Sequence, residues 1–299
     1  MAKKTPKDIS ARIKEYYELT KSGLVFGNLI TVIAGFLLAS RGENFYWELF
    51  ISTLVGIAFV MASGCVFNNY IDRDIDLLMD RTKDRGIVKK RISKKNALIF
   101  GSMLGALGFI ILLLFTNILT VFLAAFGFFF YVFMYSLWFK RNSVYGAGVG
   151  AVAGAIPPVV GYCAVSNSFD MAAIILFFIL LTWQMPHFFA IAIRRESDYA
   201  AAGIPVMPIE AGIKRTKISM FIYIIEFIIA ASLLAVFGYA GHVYLIIVVL
   251  LGLLWLALCI KGLYVAGAVN NKAWARQMFL TSLCVMMATF ITIAIGALV

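Results

Sequence analysis

Oxygen-bearing side chains recur at every fourth position in the segment Asn68-Asn69-Tyr70-Ile71-Asp72-Arg73-Asp74-Ile75-Asp76-Leu77-Leu78-Met79-Asp80. On a continuous helix, Asn68, Asp72, Asp76 and Asp80 share one face, each about 6 Å further along the axis. Like charges at this spacing destabilise a helix by a few tenths of a kcal/mol per pair, and a divalent cation removes the conflict. Oxygen ligands without a neighbouring His or Cys favour magnesium, which takes one or two carboxylates and completes its octahedron with water and substrate phosphate. The competing reading is a solvated helix end in which Arg73, Arg81 and Arg85 pair with the acids.

A second polar cluster argues for the metal. Trp183-Gln184-Met185-Pro186-His187 leads into Arg194-Arg195-Glu196-Ser197-Asp198-Tyr199 and then Gly203-Ile204-Pro205. Both clusters are expected on the same side of the chain's apolar layer, where packing brings them around one metal–diphosphate. Bare spacing reaches as far as a metal–diphosphate site beside a lipid-filled cavity.

The elements that position these clusters are membrane spans. Of 299 residues, 63% are hydrophobic and 14% charged, outside the range of a soluble domain. Apolar runs approach or reach the roughly 20 residues that cross a bilayer near 24–39, 47–67, 97–115, 119–138, 148–165, 172–190, 218–237, 243–260 and 278–299. With the N-terminus inside, every Lys and Arg except Arg41 falls in the tail or an inside loop. A miscounted span would destroy that asymmetry, so nine spans are expected, with the acidic loops on the cytoplasmic side and the C-terminus opposite.

Residues 1–21 read as a basic cytoplasmic tail without a cleavable signal, and 22–299 as one transmembrane domain. The net charge of +11 is dispersed among spans, which argues against nucleic acid. Cys65, Cys163, Cys259 and Cys284 show no paired spacing and read as packing residues. Pro157-Pro158 and Pro186 are expected to break the fifth and sixth spans beside an internal cavity. Gly146, Gly150 and Gly154 allow close helix approach.

The pattern N-x-x-x-D-x-x-x-D, carried by Asn68, Asp72 and Asp76, resembles the signature of the UbiA superfamily of intramembrane prenyltransferases. The flanking stretches ASGCVFNNYIDRDID, YSLWFKRNSVYG, GAIPPVVGYCAV, WQMPHFFAIAI and DYAAAGIPVMP are similar to the branch of that superfamily that farnesylates haem, over nearly the whole chain. The resemblance implies an all-α polytopic membrane protein, nine transmembrane helices around a central cavity. It also implies farnesyl diphosphate and haem b as substrates, haem O and diphosphate as products, and Mg2+ as cofactor. A bacterial cytoplasmic or inner membrane, and contact with a terminal oxidase or haem-handling proteins, are expected with it.

Under that resemblance Asp72 and Asp76 hold the metal, Asn68 assists, and Asp80 and Asp198 are further candidate ligands. A second D-x-x-x-D, common in the superfamily, is interrupted here because Arg194 stands four before Asp198. Candidate diphosphate partners are Lys21, Arg81, Arg85, Lys140, Arg141, Arg194, Arg195 and Tyr199, guanidinium being suited to bidentate contact. His187 is the candidate haem contact. Tyr135, Tyr162 and Tyr199 are possible donors to diphosphate or a propionate.

Two other functions compete. One is a superfamily enzyme whose acceptor is an aromatic quinone precursor. The other is a cation-coupled transporter, which would place its acids near the midplane. Only Glu226 has that depth, and a helix–helix hydrogen bond is expected for it.

Overall fold

The computed structural model describes residues 6–42 and 45–298. Among these, nine helical spans are long and apolar enough to cross a membrane, and no strand is present. The protein is an integral membrane protein. Its spans agree in number and order with the expectation from hydropathy, their ends moving by a few residues.

The tail folds. Helix α1 (Pro6–Leu19) rests on the bundle through an edge-to-face pair of Tyr16 with Phe100, ring centroids 5.1 Å apart, and an ion pair of Glu15 with Arg91. Residues 1–5, also part of the expected tail, lie outside the described residues.

A tight turn at Thr20-Lys21 leads into α2 (Ser22–Ala39). The second span is α3 (Trp47–Ile71), followed by the single turn α4 (Arg73–Asp76). After a non-helical loop, α5 (Lys94–Phe115) starts on Ser93, whose side chain accepts from the Asn96 amide. Helix α5 lies along α3.

The fourth span changes its winding partway. Helix α6 (Ile118–Phe129) runs directly into a π-helical segment, Phe130–Phe139, and then α7 (Lys140–Asn142). A π stretch of this length is rare and concentrates at functional sites. The fifth span is two helices, α8 (Gly146–Gly154) and α9 (Ile156–Ser166), parted at Ala155 just before Pro157-Pro158. There the proline pair interrupts the span as expected.

Pro186 does not interrupt its span. Helix α10 (Met171–Arg194) is continuous through it. Residues Thr182 to His187 are all buried among other helices, which is where a transmembrane proline is tolerated. Two short helices, α11 (Glu196–Ala201) and α12 (Met207–Glu210), then lead to α13 (Gly212–Val236), α14 (His242–Leu263) and α15 (Ala268–Leu298).

Small residues set the tightest crossing. A Cβ on Gly35 of α2 would stand 2.1 Å from the Pro158 carbonyl oxygen, and one on Gly161 of α9 2.1 Å from that of Val32. Only glycine permits backbones this close, which is how helices associate where lipid supplies no hydrophobic force. The outer surface is apolar, with Leu113, Leu114, Phe122, Leu250 and Leu254 exposed.

Glu226 departs from expectation. It lies on the exposed face of α13, between the outward-facing Ile222 and Ile229, and among the described residues it bonds to no neighbouring helix. The i, i+3, i+4 spacing that buries Phe227 and Ala230 turns position 226 outward.

Candidate active site

Two adjoining cavities occupy the bundle. One, about 350 Å³, is walled by apolar side chains including Ile57, Val60, Met61, Phe128, Ile156 and Met286, with Trp183, Gln184 and His187 on one side. The other, about 430 Å³, opens toward the basic end and is lined by Asn68, Asp72, Asp76, Lys21, Arg81, Arg85, Lys140, Arg194, Arg195 and Tyr199. Leu24, Tyr131, Gly150 and Phe188 line both, so a polar chamber gives directly onto an apolar one.

The polar chamber is built on the end of α3. Asn68, Asp72 and Asp76 follow one another down one side because the chain stays helical through α4. All three are buried. The ladder stops there, contrary to the expected fourth rung. The chain turns after Asp76, where the Thr82 hydroxyl donates to the Asp76 carbonyl at 2.9 Å. Asp80 therefore points to solvent, its side chain 85% exposed and paired with Lys83.

Each buried carboxylate has a cation. Lys140, at the end of the π segment, donates to Asp72 Oδ2, and Arg85 donates to Asp76 Oδ2. Lys21 donates to Asn68 Oδ1 at 2.5 Å. It does so from a left-handed backbone (φ 49°), a conformation that costs a non-glycine residue about 1–3 kcal/mol and persists where surroundings enforce it. Asn69 contributes, its amide donating to the Leu19 carbonyl at 2.7 Å and so fixing the turn. Burial holds the Lys21 ammonium down, at about 8 instead of the usual 10.5.

Asn68 is held from its other side. Its amide donates to Ser136 Oγ at 2.8 Å, and Ser136 in turn donates to the Tyr131 carbonyl at 2.7 Å. Within the π segment the rings of Tyr131 and Tyr135 stack at 5.9 Å, Tyr131 lining both chambers and Tyr135 the polar one. Tyr131 and Ser136 were not among the residues expected from sequence, since apolar periodicity does not report π winding.

Other expected partners separate. Arg141 does not line the chamber. It grips Asp74 with two bonds of 2.7 and 2.8 Å and donates to the Ile71 carbonyl, and it holds the Asp74 carboxyl down to about 2. Tyr162 is remote from both acidic segments, donating to Asp170 at 2.8 Å beyond the other end of its span. Tyr199 lies on the chamber wall, and burial raises its phenol, which stays a donor.

The second acidic segment does reach the first. Ile75 and Met79 pack with Ile204, Tyr199 and Val206, closing the chamber on that side. Arg194 lines the chamber with its guanidinium 5.3 Å from the Phe279 ring centroid. Asp198 does not line it. Its nearest cation is Arg195 at 3.8 Å.

The donor set fits a hard dication. Asp72 Oδ1 is a buried carboxylate oxygen without a hydrogen-bond partner in the chamber, and Asp198 Oδ2 is another that lies outside the chamber lining. Among the described residues no three His, Cys, Asp or Glu side chains converge on a point, so there is no closed cage. An open all-oxygen set is what magnesium uses when substrate phosphate supplies its remaining ligands.

His187 lies in the apolar chamber, stacked on Trp183 at 4.8 Å. Its Nδ1 is 2.7 Å from Ser282 Oγ. Ser282 has a single proton, which it donates to the Phe279 carbonyl at 2.6 Å. The serine must accept from His187, so the imidazole carries its proton on Nδ1 and keeps an Nε2 lone pair.

Comparison with known proteins matches this architecture. Residues 28–283 fit the model of the UbiA prenyltransferase family. A protoheme IX farnesyltransferase of Protochlamydia amoebophila is 52% identical over 94% of this chain and 98% of its own length. One from Yersinia pseudotuberculosis is 50% identical over 92% and 94%.

Solved structures share the fold. A digeranylgeranylglyceryl phosphate synthase superposes with a TM-score of 0.77 at 20% identity, covering 96% of this chain and 99% of that one. A UbiA homologue from Archaeoglobus fulgidus, bound to GPP and Mg2+, superposes with a TM-score of 0.68 at 18% identity, covering 91% and 99%. This chain belongs to the UbiA prenyltransferase family.

Proposed function

We propose that the chain transfers the farnesyl group of farnesyl diphosphate to a vinyl group of haem b, giving haem O and diphosphate. The observation that carries this is identity of 50% and more, over at least nine-tenths of both chains, with protoheme IX farnesyltransferases. The paired chambers support the chemistry, one for a charged diphosphate and one for a long apolar chain.

In this reading Asp72 and Asp76 hold magnesium, with Asn68 beside them, and Asp198 is the candidate from the second segment. Magnesium supplies Lewis-acid stabilisation of the diphosphate leaving group. Lys21, Arg81, Arg85 and Lys140 stabilise the same developing negative charge from the protein side. The allylic C–O bond breaks with its electron pair leaving on diphosphate. The vinyl terminus bonds to the farnesyl carbon, and water adds to the resulting cation and loses a proton, leaving a hydroxyethylfarnesyl group.

Tyr131 lines both chambers with Tyr135 stacked on it, and in this reading their faces stabilise the positive charge that develops on the allylic carbon. The apolar walls of the inner chamber exclude water from the farnesyl chain. His187 offers its Nε2 lone pair to the haem iron.

The basic end, with α1 and both acidic segments, faces the cytoplasm, and the enzyme works in a bacterial inner membrane beside haem-consuming oxidase. Incubating purified protein with haem b, farnesyl diphosphate and magnesium should yield haem O by mass. Prenylation of a phenolic acid, with haem unchanged, would transfer the assignment to quinone precursors.

A further inference from the structure

We propose that Arg194 and Arg195 bind the two propionate carboxylates of the porphyrin acceptor, so that one cavity holds two anions on cations from different helices. The inference rests on the haem-farnesylating reading above. It starts from an imbalance of charge. The polar chamber is lined by Lys21, Arg81, Arg85, Lys140, Arg194 and Arg195 against only Asp72 and Asp76. A diphosphate with its dication carries little net charge and neutralises part of this excess. Arg81 and Arg195 are exposed, but Lys21, Arg85, Lys140 and Arg194 are partly buried, and partly buried cations without counter-ions are costly, so the remainder calls for another anion.

The cations form two groups. Lys21 lies within electrostatic reach of Arg85, Lys140 and Asp72, and all three cations bond to the α3–α4 ladder. Arg194 comes from a different element, the end of α10. No carboxylate pairs with it among the described residues, and its guanidinium rests on Phe279, which leaves its in-plane N–H fork unspent. Arg195 has only the 3.8 Å approach to Asp198.

The wall below these arginines suits a flat aromatic acceptor. His187 and Arg194 are seven residues apart on α10, two turns on one face and about 10 Å along the axis. Phe279 touches both, its ring 4.8 Å from the imidazole and 5.3 Å from the guanidinium carbon. A column of imidazole, phenyl and guanidinium thus runs from the apolar chamber into the polar one. A porphyrin has the same layout, with iron at its centre, an apolar plane, and two carboxylates on one edge. With its propionates on Arg194 and Arg195, its iron stands level with the His187 Nε2 lone pair and its body faces the chamber shared with the farnesyl chain.

The test is binding of haem b and of its dimethyl ester to the full-length protein in lipid nanodiscs, followed by absorbance. The ester keeps the macrocycle and removes both negative charges. In wild-type protein, haem b should bind roughly 10- to 100-fold more tightly than the ester, the range for charge-assisted hydrogen bonds. Arg194→Gln with Arg195→Gln should remove that preference by weakening haem b alone, Arg194→Lys should keep part of it, and the KM for farnesyl diphosphate should stay within about twofold.

Equal affinity of wild-type protein for haem b and the ester would overturn the proposal without recourse to any variant. So would glutamine variants that raise the KM for farnesyl diphosphate and leave haem binding alone. Failure of the underlying reading is separate: wild-type protein would then make no haem O at all.

Discussion

Replacing Asp72 by Asn separates its role as a counter-ion in the folded protein from the role proposed for it, as a metal ligand in turnover. Asp72 is 1% exposed and its partner Lys140 13% exposed, so the pair is buried, and breaking such a pair costs about 3–5 kcal/mol. An asparagine still accepts one bond from Lys140, which puts the loss of stability near the lower bound, about 2–3 kcal/mol. Adding Lys140→Met removes the stranded ammonium and should restore part of that stability, the carboxamide at position 72 still lacking a partner for its buried polar atoms.

Activity should behave differently. Asp72 Oδ1 accepts no hydrogen bond among the described residues and has only the Arg141 guanidinium near it, at 3.9 Å, so it keeps lone pairs for an arriving cation. Asp72→Asn should lower kcat on the order of 100- to 1,000-fold, and the double variant should stay as inactive while regaining part of its unfolding midpoint. Haem O formation by mass spectrometry and thermal unfolding in detergent, on the same samples, read the two effects. A double variant that recovers both stability and turnover would show that Asp72 serves only to neutralise Lys140, and the metal-ligand assignment would be wrong.

Three further outcomes follow from the same geometry. Because Lys21 loses its proton near pH 8, its charge is present below that pH and lost above it. The KM for farnesyl diphosphate should therefore rise through pH 8, while Lys21→Gln starts high and lacks that limb; superimposable profiles would remove Lys21 from the diphosphate site. A Cβ on Gly154 would lie 1.9 Å from Gln184 Oε1, so Gly154→Ala should cost about 1–3 kcal/mol in unfolding measurements, and Gln184→Ala in the same chain should recover most of it. Chelator should abolish turnover and added magnesium restore it, with no change in the unfolding midpoint of substrate-free protein, because Asp72 and Asp76 already have Lys140 and Arg85; a large drop in midpoint would mean a resident structural metal.

Local rules made part of the site legible. Asn68, Asp72 and Asp76 could be read from a four-residue spacing because the chain between them stays helical, and helix geometry is local. Asp80 could not, since nothing in its own neighbours shows that the chain turns after Asp76 and that Thr82 takes the Asp76 carbonyl. Arg141 and Lys140 are adjacent and equally basic, yet only Lys140 reaches the chamber, a difference set by the π segment that precedes them. The bond that fixes the His187 tautomer joins residues 95 apart, beyond any periodicity. Pro186 misled because a proline's effect depends on what surrounds its helix, and that is tertiary.

The resting chamber also explains how a strongly charged substrate can enter a low-dielectric site. Asp72 and Asp76 are each neutralised by a cation from another part of the chain, Lys140 from the fourth span and Arg85 from the loop before α5. Diphosphate brings negative charge for those cations, and the dication it carries brings positive charge for the carboxylates. Every group can then exchange one partner for another without a bare charge being exposed to the apolar chamber. The exchange also leaves Lys140 and Arg85 free for the leaving group when the C–O bond breaks, which is when negative charge grows most. A site with the same carboxylates and no neighbouring cations would bind the metal well and then have nothing further to offer the departing diphosphate.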